Sequence, residues 1–115
     1  MPFWVLEAGA PSYLPYAVAV SQRVVAVIFS YPLKAGHPTN PANKILWVVR
    51  QPGTTTLLQI DGHPIEAPTP LVHQTQPAAS FRNTYPSIVD VSASGCWHLD
   101  LSWSGYQDAI ELPYL

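Results

Sequence analysis

Apolar and polar residues alternate without a break near the C-terminus: Trp97, Leu99, Leu101 and Trp103 hold one parity, and Cys96, His98, Asp100 and Ser102 hold the other. A period of two marks a half-buried β-strand, because successive side chains leave opposite faces of the backbone. After Ser104-Gly105-Tyr106-Gln107 the pattern resumes with Asp108, Ile110, Leu112 and Tyr114 on one face. A loop of those four residues would pair Trp103 with Asp108, Leu101 with Ile110, Leu99 with Leu112 and Trp97 with Tyr114. That register puts Asp108 at the hairpin tip, where it could accept from an indole N–H. Slipping by one residue would turn the whole apolar row to solvent. This hairpin is therefore expected to centre the core.

The same reading places strands at 16–20 and 24–29, joined at Ser21-Gln22, and at 44–50, where both faces are apolar and cover on both sides is expected. Further strands are expected at 55–61, closed by an Asp61-Gly62 turn, at 71–74 as a short edge, and at 87–91. Thirteen prolines fall at almost every boundary between these segments. Proline removes a backbone donor and blocks helix interiors, so they argue against helix throughout. The predicted fold is all-β: one immunoglobulin-like antiparallel sandwich of about seven or eight short strands. A single domain is expected over 1–115, with residues 1–15 as an N-terminal segment or extra edge strand that buries Trp4.

Four segments carry a resemblance: Tyr31-Pro32-Leu33-Lys34-Ala35-Gly36-His37-Pro38, the stretch Asn40-Pro41-Ala42-Asn43-Lys44-Ile45-Leu46-Trp47-Val48-Val49, Tyr85-Pro86-Ser87-Ile88-Val89, and Gly95-Cys96-Trp97-His98-Leu99. Together they resemble a family of uncharacterised bacterial immunoglobulin-like domains, often small exported proteins or lipoproteins. The Gly-Cys-Trp strand is that family's most recognisable feature. The resemblance spans residues 31–114, implies a sandwich and export, and transfers no catalytic residue. This sequence departs from it in having no leader or lipid-attachment cysteine near Met1.

Composition narrows the function classes. Hydrophobic residues make up 48% of the chain and charged residues only 10%, against roughly 25% charged in ordinary soluble domains. So few ions suggest that a partner covers part of the surface. The net charge is -2, and Arg23, Lys34, Lys44, Arg50 and Arg82 are scattered. Nucleic-acid binding needs clustered cations, so none is expected. The apolar stretch from Leu14 to Tyr31 is broken by Ser21, Gln22 and Arg23, so no membrane span is expected. No signal peptide is expected either, since the start carries no basic residue, and the compartment stays open. One cysteine, Cys96, makes no intrachain disulfide and no multi-cysteine zinc site.

Three constellations could carry chemistry. Cys96, His98, Asp100 and Ser102 share a face, but alternate strand residues sit roughly 6.5–7 Å apart, too far for a nucleophile and base to meet. A solvated face is the expected reading. His37, His63, His73 and His98 lie in separate segments. A site joining His37 and His63 to Glu66 or Asp61 would need loops to converge, and no metal spacing supports it. The polar loop 34–44 is the preferred candidate, with His37, Asn40, Asn43 and Lys44 as expected ligand-binding residues. Against it stands the plainer reading in which Asn40 and Asn43 bond their own backbone.

The chain thus reads as a non-enzymatic binding module without catalytic residue, metal or cofactor. A protein partner or a second copy, forming a homodimer, is the expected partner, with a small molecule or glycan also open. Two other readings stay open: a small hydrolase or metal-dependent enzyme using loop histidines, and a structural domain of a cell-surface or exported protein.

Overall fold

Eight strands and one short helix make up the regular structure of the computed structural model, which describes residues 1–50, 56–79 and 83–115. In chain order they are α1 (Phe3–Glu7), β1 (Tyr16–Val18), β2 (Val24–Ile28), β3 (Lys44–Val49), β4 (Leu58–Pro64), β5 (Val72–Gln76), β6 (Thr84–Ile88), β7 (Gly95–Trp103) and β8 (Tyr106–Tyr114). They form two antiparallel four-stranded sheets. Sheet A has the order β1-β2-β3-β6 and sheet B the order β5-β4-β7-β8. The chain is an all-β sandwich, as its alternation predicts. The predicted start of the fourth strand at Thr55 lies outside the described residues.

The core lies between the sheets. Val24, Ala26, Ile28, Ile45, Trp47, Val49 and Tyr85 from sheet A meet Leu58, Ile60, Trp97, Leu99, Leu101, Trp103, Ile110, Leu112 and Tyr114 from sheet B, and all are buried. Large aromatic groups bury well only when their polar atoms find partners. Here Trp47 Nε1 donates to Ser87 Oγ at 2.9 Å, Trp97 Nε1 to the Ala93 carbonyl at 2.9 Å, and Tyr114 Oη to the Val89 carbonyl at 2.9 Å.

The C-terminal hairpin differs from the predicted register by two residues. Trp103 pairs with Tyr106, Leu101 with Asp108, Leu99 with Ile110 and Trp97 with Leu112. The turn is only Ser104-Gly105, both with positive φ (47° and 81°). Two such residues make the tight turn whose twist matches the strands it joins. An even slip leaves every side chain on its expected face, so the inward row survives.

The Asp61-Gly62 turn is also corrected: both residues lie inside β4, opposite Asp100 and Leu99. Gly62 is there because Leu99 packs over it, and a Cβ would collide with that side chain. The predicted strand 87–91 begins earlier, at Thr84, and runs through Pro86. Among the described residues its one partner strand is β3, and an edge strand tolerates a missing donor.

Of the two expectations for residues 1–15, a separate segment or an extra edge strand, the structure has the segment, which carries the short helix α1. Pro2 precedes α1, and Gly9 ends it with φ 96°, its N–H bonded to the Leu6 carbonyl at 2.9 Å. Trp4 does not enter the inter-sheet core. With Met1, Ala8 and Leu14 it packs around Val5, Ala10, Val25, Val27 and Val48 on the outer face of sheet A. That cover explains why β2 is buried at all five positions.

Both openings between the sheets are laced. On one side Val20 N–H donates to Ala109 O at 2.8 Å, and Leu33 pairs in parallel with Tyr114. On the other, the Gln74 and Gln76 amides each donate to a β6 carbonyl, Ile88 and Pro86, at 3.2 Å. These contacts occupy edges that would otherwise invite another chain.

Asp108 is not at the hairpin tip. It is buried in β8, where its two carboxylate oxygens accept the backbone N–H groups of Ser21 and Arg23 at 2.8 Å and of Ala109 at 2.9 Å. It therefore ties the β1–β2 turn of sheet A to sheet B. Replacing it leaves three part-buried donors unmet, at roughly 1–3 kcal/mol in such cases. Asp108→Ala is expected to lower unfolding free energy by about 2–4 kcal/mol in urea titrations with little change in m-value.

Candidate functional site

Of the four loop residues expected to bind ligand, His37 and Asn43 meet at Asp90. Asn43 is buried. Its Oδ1 accepts Lys34 N–H at 2.9 Å, and its Nδ2 donates to Lys34 O at 2.7 Å and to Asp90 Oδ1 at 2.9 Å. The amide thus clamps the loop across nine residues and is fully engaged within the chain. His37 is 86% exposed at its side chain and meets the same carboxylate, Asp90 Oδ2, at 3.0 Å. Asn40 is exposed, and Lys44 Nζ sits 4.8 Å above the Phe29 ring. The structure brings His37 and Asn43 to Asp90, which no local spacing advertises, since it lies 47 residues beyond Asn43. Nearby, burial first and the Asp90 charge second push the Tyr114 phenol well above its ordinary range.

The outer face of sheet B is a second cluster. Cross-strand pairing sets Asp61 beside His73 and Asp100, and sets His98 between His63 and Glu111. Two carboxylates directly opposite each other repel. Each here has its own imidazole: His73 Nδ1 contacts Asp61 Oδ1, and His98 Nε2 lies 3.0 Å from Asp100 Oδ1. The spacing expected to keep His98 and Asp100 apart is closed by their side chains leaning together. His63 Nδ1 donates to the carbonyls of Pro64 at 2.7 Å and Ala67 at 3.1 Å, and its ring centre lies 5.5 Å from that of His98.

Cys96 is exposed at the start of β7. Local desolvation, and then the Glu111 charge, raise its thiol pKa, the opposite of what activates a nucleophile. The suggested site of His37, His63 and a carboxylate does not assemble, because His37 bonds Asp90 while His63 faces His98. Among the described residues, no group of three or more His, Cys, Asp or Glu side chains is placed to hold a metal.

The third feature is an open groove of about 450 Å³ beside the β7–β8 turn. Gln59, Ser102 and Gln107 form one cross-strand row along it, and Tyr106 stands at its end. The Tyr106 ring is 39% exposed and rests 6.0 Å from that of the buried Trp103. Among the described residues no charged side chain lines the groove, and the nearest cation is Arg23, whose Nη1 donates to the Gln107 carbonyl at 3.2 Å. The amide row is not legible in the sequence, because Gln59 and Gln107 meet only through pairing with β7.

No family model, curated protein or solved structure matched this chain.

Asn43→Ala removes the clamp and leaves a part-buried N–H and carbonyl of Lys34 unmet. It is expected to cost about 1–3 kcal/mol, and His37→Ala less than about 0.5 kcal/mol, since an exposed pair contributes little. Chemical denaturation of the two variants checks this difference.

Proposed function

We propose that this chain is a non-enzymatic binding module on an immunoglobulin-like sandwich, and that it takes a neutral, hydroxyl-rich ligand such as an oligosaccharide at the Tyr106 groove. The observation that carries the reading is an asymmetry. The N-terminal segment covers the outer face of sheet A, while the outer face of sheet B is open and borders an uncharged groove. Paired amides and a hydroxyl suit vicinal sugar hydroxyls, and an aromatic ring suits the apolar face of a pyranose.

The immunoglobulin-like assignment draws support from connectivity. The chain crosses between sheets after β3, β5 and β6, a Greek-key path in which β4-β5 and β7-β8 are hairpins. The segment Gly95-Cys96-Trp97-His98-Leu99 and its likeness to exported bacterial domains point the same way. Phe3 and Tyr13 in the N-terminal segment and Val20 in the β1–β2 turn are exposed and favour self-association as a second reading.

Glycan-array binding by the wild-type chain, Tyr106→Ala and Gln107→Ala tests the main reading. Neutral oligosaccharides should bind the wild type, and each variant should bind about tenfold more weakly, the equivalent of roughly 1.4 kcal/mol. Failure to bind any neutral glycan, or binding indifferent to both substitutions, would overturn it. If binding fails while sedimentation shows dimers, self-association takes its place.

A further inference from the structure

We propose that the Tyr106 groove is the first of three adjoining subsites, so that the ligand is an extended sugar chain of at least three rings rather than a single sugar or a disaccharide. This rests on the reading of that groove as the ligand site.

Two further hollows continue the groove. One of about 210 Å³ lies over Asp61, Asp100 and Ser102. The other, of about 330 Å³, lies between Asp100 on β7, Ala109 on β8, and Ser21 and Arg23 of the β1–β2 turn. Gln107 borders all three hollows, Ser102 joins the first to the second, and Asp100 joins the second to the third. Strand pairing explains the continuity. The row Gln59–Ser102–Gln107 and the row Asp61–Asp100–Ala109 are two positions apart on the same three strands. They therefore share a face and lie roughly 6.5–7 Å from each other, about the step of one ring along a sugar chain. The far wall stands because Asp108 accepts the Ser21 and Arg23 N–H groups at 2.8 Å and so fixes the β1–β2 turn against β8.

Both added hollows offer the hydrogen-bond chemistry of sugar hydroxyls. Asp61 Oδ1 is engaged by His73 and Asp100 Oδ1 by His98, and among the described residues neither Oδ2 has a donor in the chain. Ionised carboxylates only accept, and a sugar hydroxyl supplies the donor, in charge-assisted bonds stronger than those between neutral groups. Two such groups side by side also repel an acidic sugar, so the second ring is non-acidic. Arg23 Nη1 donates to the Gln107 carbonyl at 3.2 Å, and the other N–H groups of its guanidinium are donors for the oxygens of a third ring.

Calorimetry of the full chain with cello-, xylo-, malto- and manno-oligosaccharides of two to six rings tests the extension. In a series that binds, affinity should rise by at least about tenfold between two rings and four, the scale of one added charge-assisted hydrogen bond. Asp100→Ala should bring the four-ring affinity down to that of two rings. Glu111→Ala, on the same face but outside the three hollows, should keep the length dependence. Backbone NMR spectra show whether each variant is folded, as the exposure of both side chains leads one to expect. Tyr106-dependent binding with equal affinity for two rings and four would overturn the extension and leave the groove reading standing. A length dependence unaltered in Asp100→Ala, or lost equally in Glu111→Ala, would do the same. No binding by any series would overturn both.

Discussion

The inward packing of Trp97, Leu99, Leu101 and Trp103 against sheet A is the interaction on which the molecule depends. Those four residues, with Ile110, Leu112 and Tyr114 beside them, are the inner face of sheet B, and Trp47 answers them from sheet A. Strand geometry then leaves no choice for the intervening positions. Cys96, His98, Asp100 and Ser102 must leave on the other side of β7. The polar outer face is therefore the reverse of the core, and the histidine pair and the amide row inherit their positions from the tryptophans behind them.

The two sheets solve the problem of their outer faces differently. Sheet A is apolar on both sides, and Val25, Val27 and Val48 would be wet without the helix and the Ala10 segment laid over them. Sheet B alternates cleanly and needs no cover. Polar side chains then join what the apolar core cannot. Asp108 ties the β1–β2 turn to β8, Asn43 clamps the loop before β3, and Gln74 and Gln76 reach across to β6. Each satisfies backbone groups that would be costly to leave unmet in partly buried surroundings.

Much of this was legible from alternation alone. The faces of β3 and β7, the need to cover β3 on both sides and the sandwich itself follow from which parity is apolar. Pairing was not legible to the same degree. Ser104 carries φ 47° although it is not glycine, so nothing in its identity announced a two-residue turn, and the register was placed two residues off. Asp61-Gly62 has the composition of a turn, yet the absent Cβ serves the approach of Leu99 from a strand 37 positions later. Asn43 is a similar case: its partner Asp90 lies 47 residues away, so its role as a clamp on the loop was not legible. Long-range partners decide whether a polar residue is a strut or a ligand, and one sequence does not display them.

The central claim, that the indoles face inward with fixed acceptors, is most directly tested by solvent exchange of the tryptophan Nε1 protons followed by NMR. Trp47, bonded to Ser87 inside the sandwich, and Trp97, a buried indole bonded to the Ala93 carbonyl at its rim, should exchange far more slowly than free indole. Rapid exchange at either one in the folded protein would mean that the row does not pack between two sheets, and the faces assigned from it would have to be redrawn.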